Sequence, residues 1–277
     1  MSGRLADISA RIDTVHKLES VIKAMRGIAA SRVQEANQHL QSVRSYAATI
    51  GTGISQVLAR VPPADERPNG EGHAVVVFAA EQGFAGGFSD RVFDHVARQF
   101  DAKDTLFVVG ERGVSEAVER GWRLGWQAPM VSQPALALGL ATRLTDVLFE
   151  RLAAGAFGSI SVVHAAPTAG GADIHVDRLV PFDFERFPAA DDGDALFSLP
   201  PTVMLESLVQ EYVFAQLAEA ALLSFAAENE ARMRAMIAAQ DNTAETLAQM
   251  VATSRQLRQE EITEEILELA VSGLAQS

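Results

Sequence analysis

Apolar residues recur at helical spacing through the last third of the chain. After Pro201 there is no further proline, and Gly273 is the single glycine. Strong helix formers dominate this stretch, and an uninterrupted helix over 203–273 would be about 105 Å long. Its apolar positions are Leu205, Leu208, Tyr212, Leu217, Ala220, Leu223, Leu247, Met250, Val251, Leu257, Ile262, Ile266 and Leu269. So long a helix needs a partner along its side, because propensity alone does not hold it in water.

A second long helix is predicted over residues 3–60. Steps of three and four separate the apolar positions of its second half, as in the seam of a coiled coil. These positions are Val33, Ala36, Leu40, Val43, Ala47, Ile50, Ile54 and Val57. The seam continues less regularly toward the N-terminus, through Leu5, Ile8, Ile12, Val15, Ile22, Met25 and Ile28. Pro62 and Pro63 are expected to end the helix.

Between the two helices the pattern changes to short strands and helices. A continuous apolar run predicts a strand buried on both faces at residues 73–79. Two further strands are predicted at residues 105–109 and 159–164, with an edge strand or hairpin partner at 174–180. Helices are predicted over 88–100, 111–120 and 134–152. This alternation favours a small Rossmann-like α/β domain with parallel strands. Linkers rich in proline flank it, and the acidic run 191–194 in the second is interpreted as a solvated loop.

The resulting architecture is an α/β domain inserted between two long helices. The segments are residues 1–60, 73–182 and 203–277. Both helices have an apolar seam to bury, so they most simply bury it against each other. Because the inserted domain joins the end of one to the start of the other, the pairing is predicted to be an antiparallel coiled coil.

Composition narrows the functional classes. The chain has 277 residues, 48% of them hydrophobic, and no cysteine. Disulfides, thiolate metal sites and a cysteine nucleophile are therefore excluded. No apolar run reaches the 18 or so residues that suggest a membrane span, and the N-terminus does not resemble a secretory signal. A bacterial cytoplasmic protein, or a mature organellar one, is the expectation.

Charge is distributed unevenly along the chain. The net charge is −13 overall. Residues 1–60 hold eight basic against four acidic side chains, or +4, whereas residues 203–277 hold four arginines against twelve acids, or −8. The basic end is either a solvated helix face or a surface that meets an acidic protein. Nucleic acid is not predicted as a partner, because no aromatic residues interleave with the bases.

A glycine-rich turn, with Gly83, Gly86 and Gly87, follows the first predicted strand and opens a helix. A phosphate-binding turn would be placed there. The spacing does not match a dinucleotide fingerprint, and no Gly-Lys-Ser/Thr follows. A structural turn is favoured, since glycine serves such turns without a ligand, and no cofactor is predicted.

The sequence gives little indication of a metal site or of catalytic residues. The six histidines are scattered without a metal-ligand spacing, and no Ser-His-Asp grouping can be argued from spacing. His164 and His175 lie near predicted strand ends and are interpreted as ordinary packing or surface residues. Arg232, Arg255 and Arg258 fall on the last helix, where exposed ion pairs with glutamates would contribute about 0–1 kcal/mol each.

Motifs at both ends of the chain resemble one family. Near the C-terminus stand Ala231-Arg232-Met233-x-Ala235-Met236 and Arg258-Gln259-x-x-Ile262-Thr263, and near the N-terminus stand Lys23-Ala24-Met25-Arg26 and Ala29-Ala30-Ser31-Arg32. Together with the glycine-rich turn, they resemble the γ subunit of F-type ATP synthases. The chain departs from the family pattern at Ile22, at Ala80-Glu81-Gln82 and at Thr253-Ser254.

The resemblance implies the central rotor of a proton- or sodium-translocating ATP synthase, a subunit without catalytic residues of its own. Implied partners are the α and β subunits of the catalytic head, an ε-type stalk subunit and the c-subunit ring, at the cytoplasmic face of a bacterial inner membrane. Partner contacts carried over by position are Lys23, Met25, Arg26, Arg232, Arg258, Gln259 and Thr263. Two alternatives stay open: a nucleotide- or small-molecule-binding α/β protein with a coiled-coil assembly arm, and a structural tether.

Overall fold

The computed structural model of the chain describes residues 2–61, 70–190 and 199–274. Its α-helices are α1 (Ser2–Leu58), α2 (Phe88–Gln99), α3 (Glu111–Glu119), α4 (Ala137–Ala153) and α5 (Pro201–Leu274). Its strands are β1 (His73–Phe78), β2 (Thr105–Val109), β3 (Arg123–Ala128), β4 (Ser159–Thr168) and β5 (Gly171–Val180). Pro62, Pro63 and the acidic run 191–194 lie outside the described residues.

The seam predicted on α1 is confirmed over its second half. Each predicted position from Val33 to Val57 is buried or half-buried, and Ile54 and Val57 are almost fully enclosed. Further toward the N-terminus the prediction is wrong at Ile28, which is 55% exposed, while Ala29 beside it is 1% exposed. The seam positions after Ile22, spaced by three and four residues, therefore include Ala29 and not Ile28. Helix geometry, and not side-chain size, decides which position faces the seam.

The seam predicted at the end of α5 is only partly present. Leu247, Met250, Val251 and Leu257 are half-buried, as expected. Ile262 and Ile266 are instead 50% and 60% exposed, and the side chain of Leu269 lies outside the described residues. Apolar spacing alone therefore overestimated how far burial extends along this helix.

The chain forms two compact units, residues Met1–Ile28 with Met233–Ser277 and residues Ala29–Arg232. In the smaller unit Arg26 donates a 2.8 Å hydrogen bond to Gln240. In the larger unit Arg44 pairs with Glu219 at 2.7 Å, and Tyr46 donates to Glu211 at 2.6 Å. Residue numbers rise on α1 as they fall on α5, so the predicted antiparallel pairing is confirmed. The predicted segments 1–60, 73–182 and 203–277 stay a prediction.

The sheet of the larger unit has the strand order β3-β2-β1-β4-β5. Neighbouring strands are parallel except for β5, which pairs with β4 as an antiparallel hairpin. The hairpin partner was therefore predicted correctly, although β4 runs four residues beyond His164. Strand β3 was missed: an edge strand is covered less on both sides, and the sequence RLGWQA has a weak apolar pattern.

Two apolar cores cover the two faces of the sheet. Val76 and Phe78 of β1 belong to the core shared with α1, α4 and α5, whereas Val75 and Val77 belong to the core shared with α2 and α3. Alternate residues of β1 thus face opposite layers and are all buried, as its continuous apolar run predicted. The α5 residues in these cores end at Ala231.

Truncation after Ala244 should leave the larger unit folded. The described cores of that unit include no residue beyond Ala231, so the shortened chain keeps all of its buried apolar contacts. Differential scanning calorimetry should show the transition of the larger unit within a few degrees of its full-length position. Truncation after Gln216, which removes Leu217, Leu222 and Phe225 from the core, should abolish that transition. Its loss in the first variant would refute the assignment of the cores.

Candidate functional site

The carboxyl edge of the sheet is the place where open α/β sheets usually bind ligands. The glycine-rich turn lies there, between β1 and α2. Gly86 and Gly87 adopt φ values of 56° and 68°, and Phe84 between Gly83 and Ala85 adopts 61°. Glycine takes this conformation at no steric cost, which explains two of the three positions. The structural turn predicted from the sequence is therefore consistent with the backbone.

Three polar side chains of α5 face this edge. Ser224, Glu228 and Arg232 follow one another at intervals of four residues, so they occupy one face of the helix. They are 0%, 3% and 5% exposed. We call these three residues the anchor stripe. A polar row this deeply buried requires partners, because an unpaired buried polar group is costly.

The anchor stripe finds its partners in the backbone of the sheet edge. Ser224 Oγ accepts a 3.1 Å hydrogen bond from the amide of Ala165 in β4. The carboxylate of Glu228 accepts from the amides of Glu81 and Gln82 at 3.3 and 3.5 Å. One helix face thereby provides acceptors for amide groups of β4 and of the segment that follows β1.

Arg232 completes the stripe from the other side of the turn. Its Nη2 lies 2.5 Å from Glu228 Oε1 and donates at 3.4 Å to the carbonyl oxygens of Gln82 and Gly83. Its Nη1 donates to Asn229 at 3.1 Å. The guanidinium therefore bridges α5 and the turn through a buried, hydrogen-bonded ion pair. Removing one partner of such a pair typically costs about 3–5 kcal/mol.

Glu81 connects the same turn to its other neighbours. Its Oε2 accepts hydrogen bonds from the amides of Met130 and Glu111, at 2.7 and 3.2 Å. The ends of β1 and β3 and the start of α3 are thus joined through one carboxylate. Four amide groups that border the turn, those of Glu81, Gln82, Glu111 and Met130, therefore donate to protein carboxylates and are not available to a phosphate.

Phe84 stands out at the tip of the turn. Its side chain is 71% exposed, and its positive φ is unusual for a bulky residue. Such a conformation costs on the order of 1–3 kcal/mol and persists only where the surroundings enforce it. The anchor stripe on Gln82 and Gly83 is such a surrounding. The constrained backbone therefore presents the aromatic ring of Phe84 to solvent.

The site residues predicted from the sequence fall into two groups. Gly83, Gly86, Gly87 and Arg232 lie together at the sheet edge in the larger unit, where the expectation of an exposed ion pair for Arg232 is wrong, since the pair is buried. The others belong to the smaller unit. They are Lys23, paired with Glu19 at 2.7 Å, the half-buried Met25, Arg26, and the exposed Arg258, Gln259 and Thr263.

Sequence reasoning missed Ser224, Glu228 and Asn229. The surrounding sequence could have pointed to them, because these polar residues interrupt the segment from Val213 to Ala231, which is otherwise mostly apolar. Polar residues at four-residue spacing inside an apolar helix segment indicate a buried polar face. The identity of their partners could not be read from the chain, because Ala165 and Gln82 are 59 and 146 residues away.

A second polar cluster lies at the opposite, amino edge of the sheet. His73 Nε2 lies 3.0 Å from Ser161 Oγ, and His73 Nδ1 lies 4.0 Å from Asp104 Oδ2. Spacing along the chain gave no hint of this Ser-His-Asp grouping. Ser161 is 5% exposed, and the His73–Asp104 distance is too long for a hydrogen bond. The cluster is therefore interpreted as a connection among β1, β4 and the start of β2, not as a nucleophile.

This cluster predicts a stability change in mild acid. Burial lowers the pKa of His73, an effect opposed by Asp104 and reinforced by Arg178. The unfolded chain, with a histidine pKa of about 6.5, then binds the proton before the folded chain does. Stability should be fully present above that pH and should fall as the pH drops toward the folded pKa. Urea unfolding between pH 7.5 and 5 measures it, and His73→Gln should flatten the dependence. An unchanged dependence in that variant would contradict the assignment.

The described helices include none that is long and apolar enough to span a membrane. Comparison with known proteins identifies relatives over the full length. Residues 4–275 match the family model described as ATP synthase. The ATP synthase gamma chain of Frankia casuarinae is 30% identical over 289 residues, covering 97% of this chain and 96% of the relative. That of Beutenbergia cavernae is 27% identical, covering 99% and 98%.

Solved structures share the fold. The rotor of the Euglena gracilis mitochondrial ATP synthase covers 95% of this chain and 100% of its own, with TM-score 0.66 and 13% identity. A second structure from that organism, an OSCP/F1/c-ring assembly, covers 99% and 95%, with TM-score 0.71 and 13% identity. The terminal motifs, the family match and the end-to-end relatives agree, and this chain belongs to the ATP synthase family as a γ chain, the central-stalk subunit of F-type ATP synthases.

Proposed function

We propose that this chain is a non-catalytic rotor subunit that couples ion flow through a membrane ring to nucleotide turnover in a catalytic head. Its partners are the α and β subunits of the head, an ε-type stalk subunit and the c-subunit ring. It is a peripheral subunit at the cytoplasmic face of a bacterial inner membrane, and the coupling ion is a proton or sodium. The match to rotor, head and ring assemblies supports this assignment.

The observation that carries the proposal is the anchor stripe. A subunit that transmits torque needs its long helix fixed to the domain that bears on the ring. Ser224, Glu228 and Arg232 provide such a connection, because they join α5 to β4 and to the turn after β1 through buried hydrogen bonds and an ion pair. A rotation of α5 in this region therefore carries the α/β domain with it.

Exposed residues of the smaller unit are the proposed contacts with the head. Lys23 and Arg26 are exposed cations on the basic helix, and Met25 lies between them. Arg258, Gln259 and Thr263 are exposed on α5. The same unit carries exposed apolar side chains that a partner surface would cover, namely Leu18, Val21, Ile28, Ile262, Ile266 and Leu267.

Arg232 has a different proposed role from these residues. At 5% exposure it has little surface to offer a partner. Arg232 acts indirectly, through the glycine-rich turn. Its hydrogen bonds to Gln82 and Gly83 hold the turn so that Phe84 points outward, and Phe84 contacts the partner subunit. Gly86 and Gly87, with positive φ values, provide the backbone freedom that this arrangement needs, and Gly83 accepts a hydrogen bond from Arg232.

Reconstitution tests the proposal. Membranes that contain the ion-translocating ring are combined with head subunits, an ε-type subunit and either this chain, its truncation after Ala244, or no γ chain. ATP-driven ion uptake should require the full chain. Uptake without it, or with the truncated chain at the full rate, would overturn the proposal.

The isolated chain should neither hydrolyse ATP nor bind it tightly. The amides of Glu81 and Gln82 donate to Glu228, and those of Glu111 and Met130 donate to Glu81, so these four amides are not free to bind a phosphate. The turn is also not followed by the Lys-Ser/Thr of a phosphate loop. Calorimetric titration with ATP and magnesium should give no micromolar binding. Such binding would support the nucleotide-binding alternative instead.

A further inference from the structure

A polar pocket of about 340 Å³ lies in the larger unit, where the β4–β5 hairpin faces α1 and α5. Its size is at the lower end of small-molecule sites, which span about 300–1,000 Å³. The charged and histidine side chains that line it are Arg44, His164, His175, Asp177, Arg186 and Glu219. The pocket lies apart from the anchor stripe, and neither the family comparison nor the proposed function assigns it a role.

Both acids that line the pocket already have partners. Asp177 Oδ2 accepts a 2.9 Å hydrogen bond from His164 Nε2, and this bond lowers the pKa of Asp177. Glu219 Oε1 accepts from Arg44 Nε at 2.7 Å. Their negative charge is therefore engaged by neighbouring donors and does not repel an incoming anion as a free carboxylate would.

Two basic side chains of the lining, Arg186 and His175, are exposed, whereas the Nδ1 atom of His164 is buried and has no hydrogen-bond partner among the described residues. Within the same residues, Arg186 makes no hydrogen bond, and it influences Asp177 only through its charge. His175 stacks on His164 with ring centroids 5.6 Å apart and also makes no hydrogen bond there.

The lining favours an anion over a metal ion. The described residues include no group of three or more histidine or acidic side chains that could hold a metal. Two arginines take part in the lining, and a guanidinium matches the geometry of phosphate and carboxylate oxygens. An imidazole ring adds at least one N–H donor.

We propose that this pocket binds a phosphate-type oxyanion, either free phosphate or the phosphate group of a nucleotide. Arg186 and His175 donate to its oxygens. Arg44 and Gln216 border the bound anion. A bound anion would connect the β4–β5 hairpin to both long helices and would stabilise the packing of the hairpin against them in the larger unit.

The test uses the full chain and two probes, inorganic phosphate and AMP, in calorimetric titrations at constant ionic strength. Saturable binding of at least one probe is expected at concentrations up to about 10 mM, which corresponds to a weak site. Saturation by phosphate itself identifies a site for the free ion, whereas binding of AMP alone identifies a nucleotide site. Absence of saturable binding for both would overturn the proposal.

Matched variants assign the binding to the pocket. Arg186→Gln and His175→Gln should each weaken binding about tenfold, as expected for loss of a charge-assisted hydrogen bond. Arg178→Gln removes the same charge from the neighbouring strand residue outside the pocket and should bind like the wild-type chain. Equal affinity in Arg186→Gln and the wild type, or equal weakening in Arg178→Gln, would assign the binding to general surface charge and overturn the proposal. A thermal melt of each variant confirms that it is folded.

Discussion

Replacing Arg232 by alanine should lower the free energy of unfolding of the larger unit by about 3–5 kcal/mol. The change leaves the Glu228 carboxylate buried at 3% exposure without its cation. It also removes the donors to Gln82 and Gly83, so the turn that carries Phe84 loses its connection to α5. Urea unfolding monitored by circular dichroism measures the difference.

Two further variants make this prediction specific. Arg258→Ala removes an arginine from the same helix at an exposed position, and it should change stability by no more than about 0.5 kcal/mol. Arg232→Lys keeps the charge but loses the planar fork that reaches both the carboxylate and the carbonyls, so an intermediate loss is expected. If Arg232→Ala destabilised the chain no more than Arg258→Ala, the anchor stripe would not be a stabilising connection.

The double substitution Arg258→Ala with Gln259→Ala should impair ATP turnover or assembly of the reconstituted complex while the isolated chain melts as before. Both side chains are exposed on α5, so the folded chain loses little. If they meet the head as proposed, each lost hydrogen bond to a charged group is worth about 1.5–3 kcal/mol. A barrier change of that size corresponds to at least about a tenfold change in rate.

The readouts are ATP hydrolysis by the complex and thermal melting of the free chain, measured in parallel. Arg255→Ala is the matched control, because this exposed arginine lies one turn earlier and outside the motif shared with the family. The control should turn over ATP at the wild-type rate. Normal assembly and turnover in the double variant would remove Arg258 and Gln259 from the proposed contacts.

Local pattern was sufficient for most of the architecture. The absence of proline and the strong helix formers after Pro201 predicted α5, and the stepping from Val33 to Val57 predicted the buried seam of α1. The run HAVVVF predicted a strand covered on both faces. These elements are encoded locally, because helix propensity and side-chain periodicity act over a few neighbouring residues. The terminal motifs also identified the family without any structural information.

Pattern failed where burial depends on what another part of the chain provides. Ile28 and Ile262 have the right chemistry for a seam, yet they are exposed, while the smaller Ala29 is enclosed. Strand β3 has few β-branched residues, and it forms because β2 offers a free edge to pair with. Such outcomes depend on register and on neighbouring elements that no local window contains.

The sequence by itself therefore determined the two long helices, the buried strands between them and the family to which the chain belongs. Only the tertiary structure decided that Arg232 turns inward to the glycine-rich turn, that Glu228 meets two amides almost 150 residues earlier in the chain, and that His73, Ser161 and Asp104 share one sheet edge. The physical reason is that helix and strand periodicity fix which face a side chain occupies, whereas the partner on that face is set by how distant elements pack. Buried polar groups depend most on that packing, since they are stable only where it places a complementary hydrogen-bond donor or acceptor beside them.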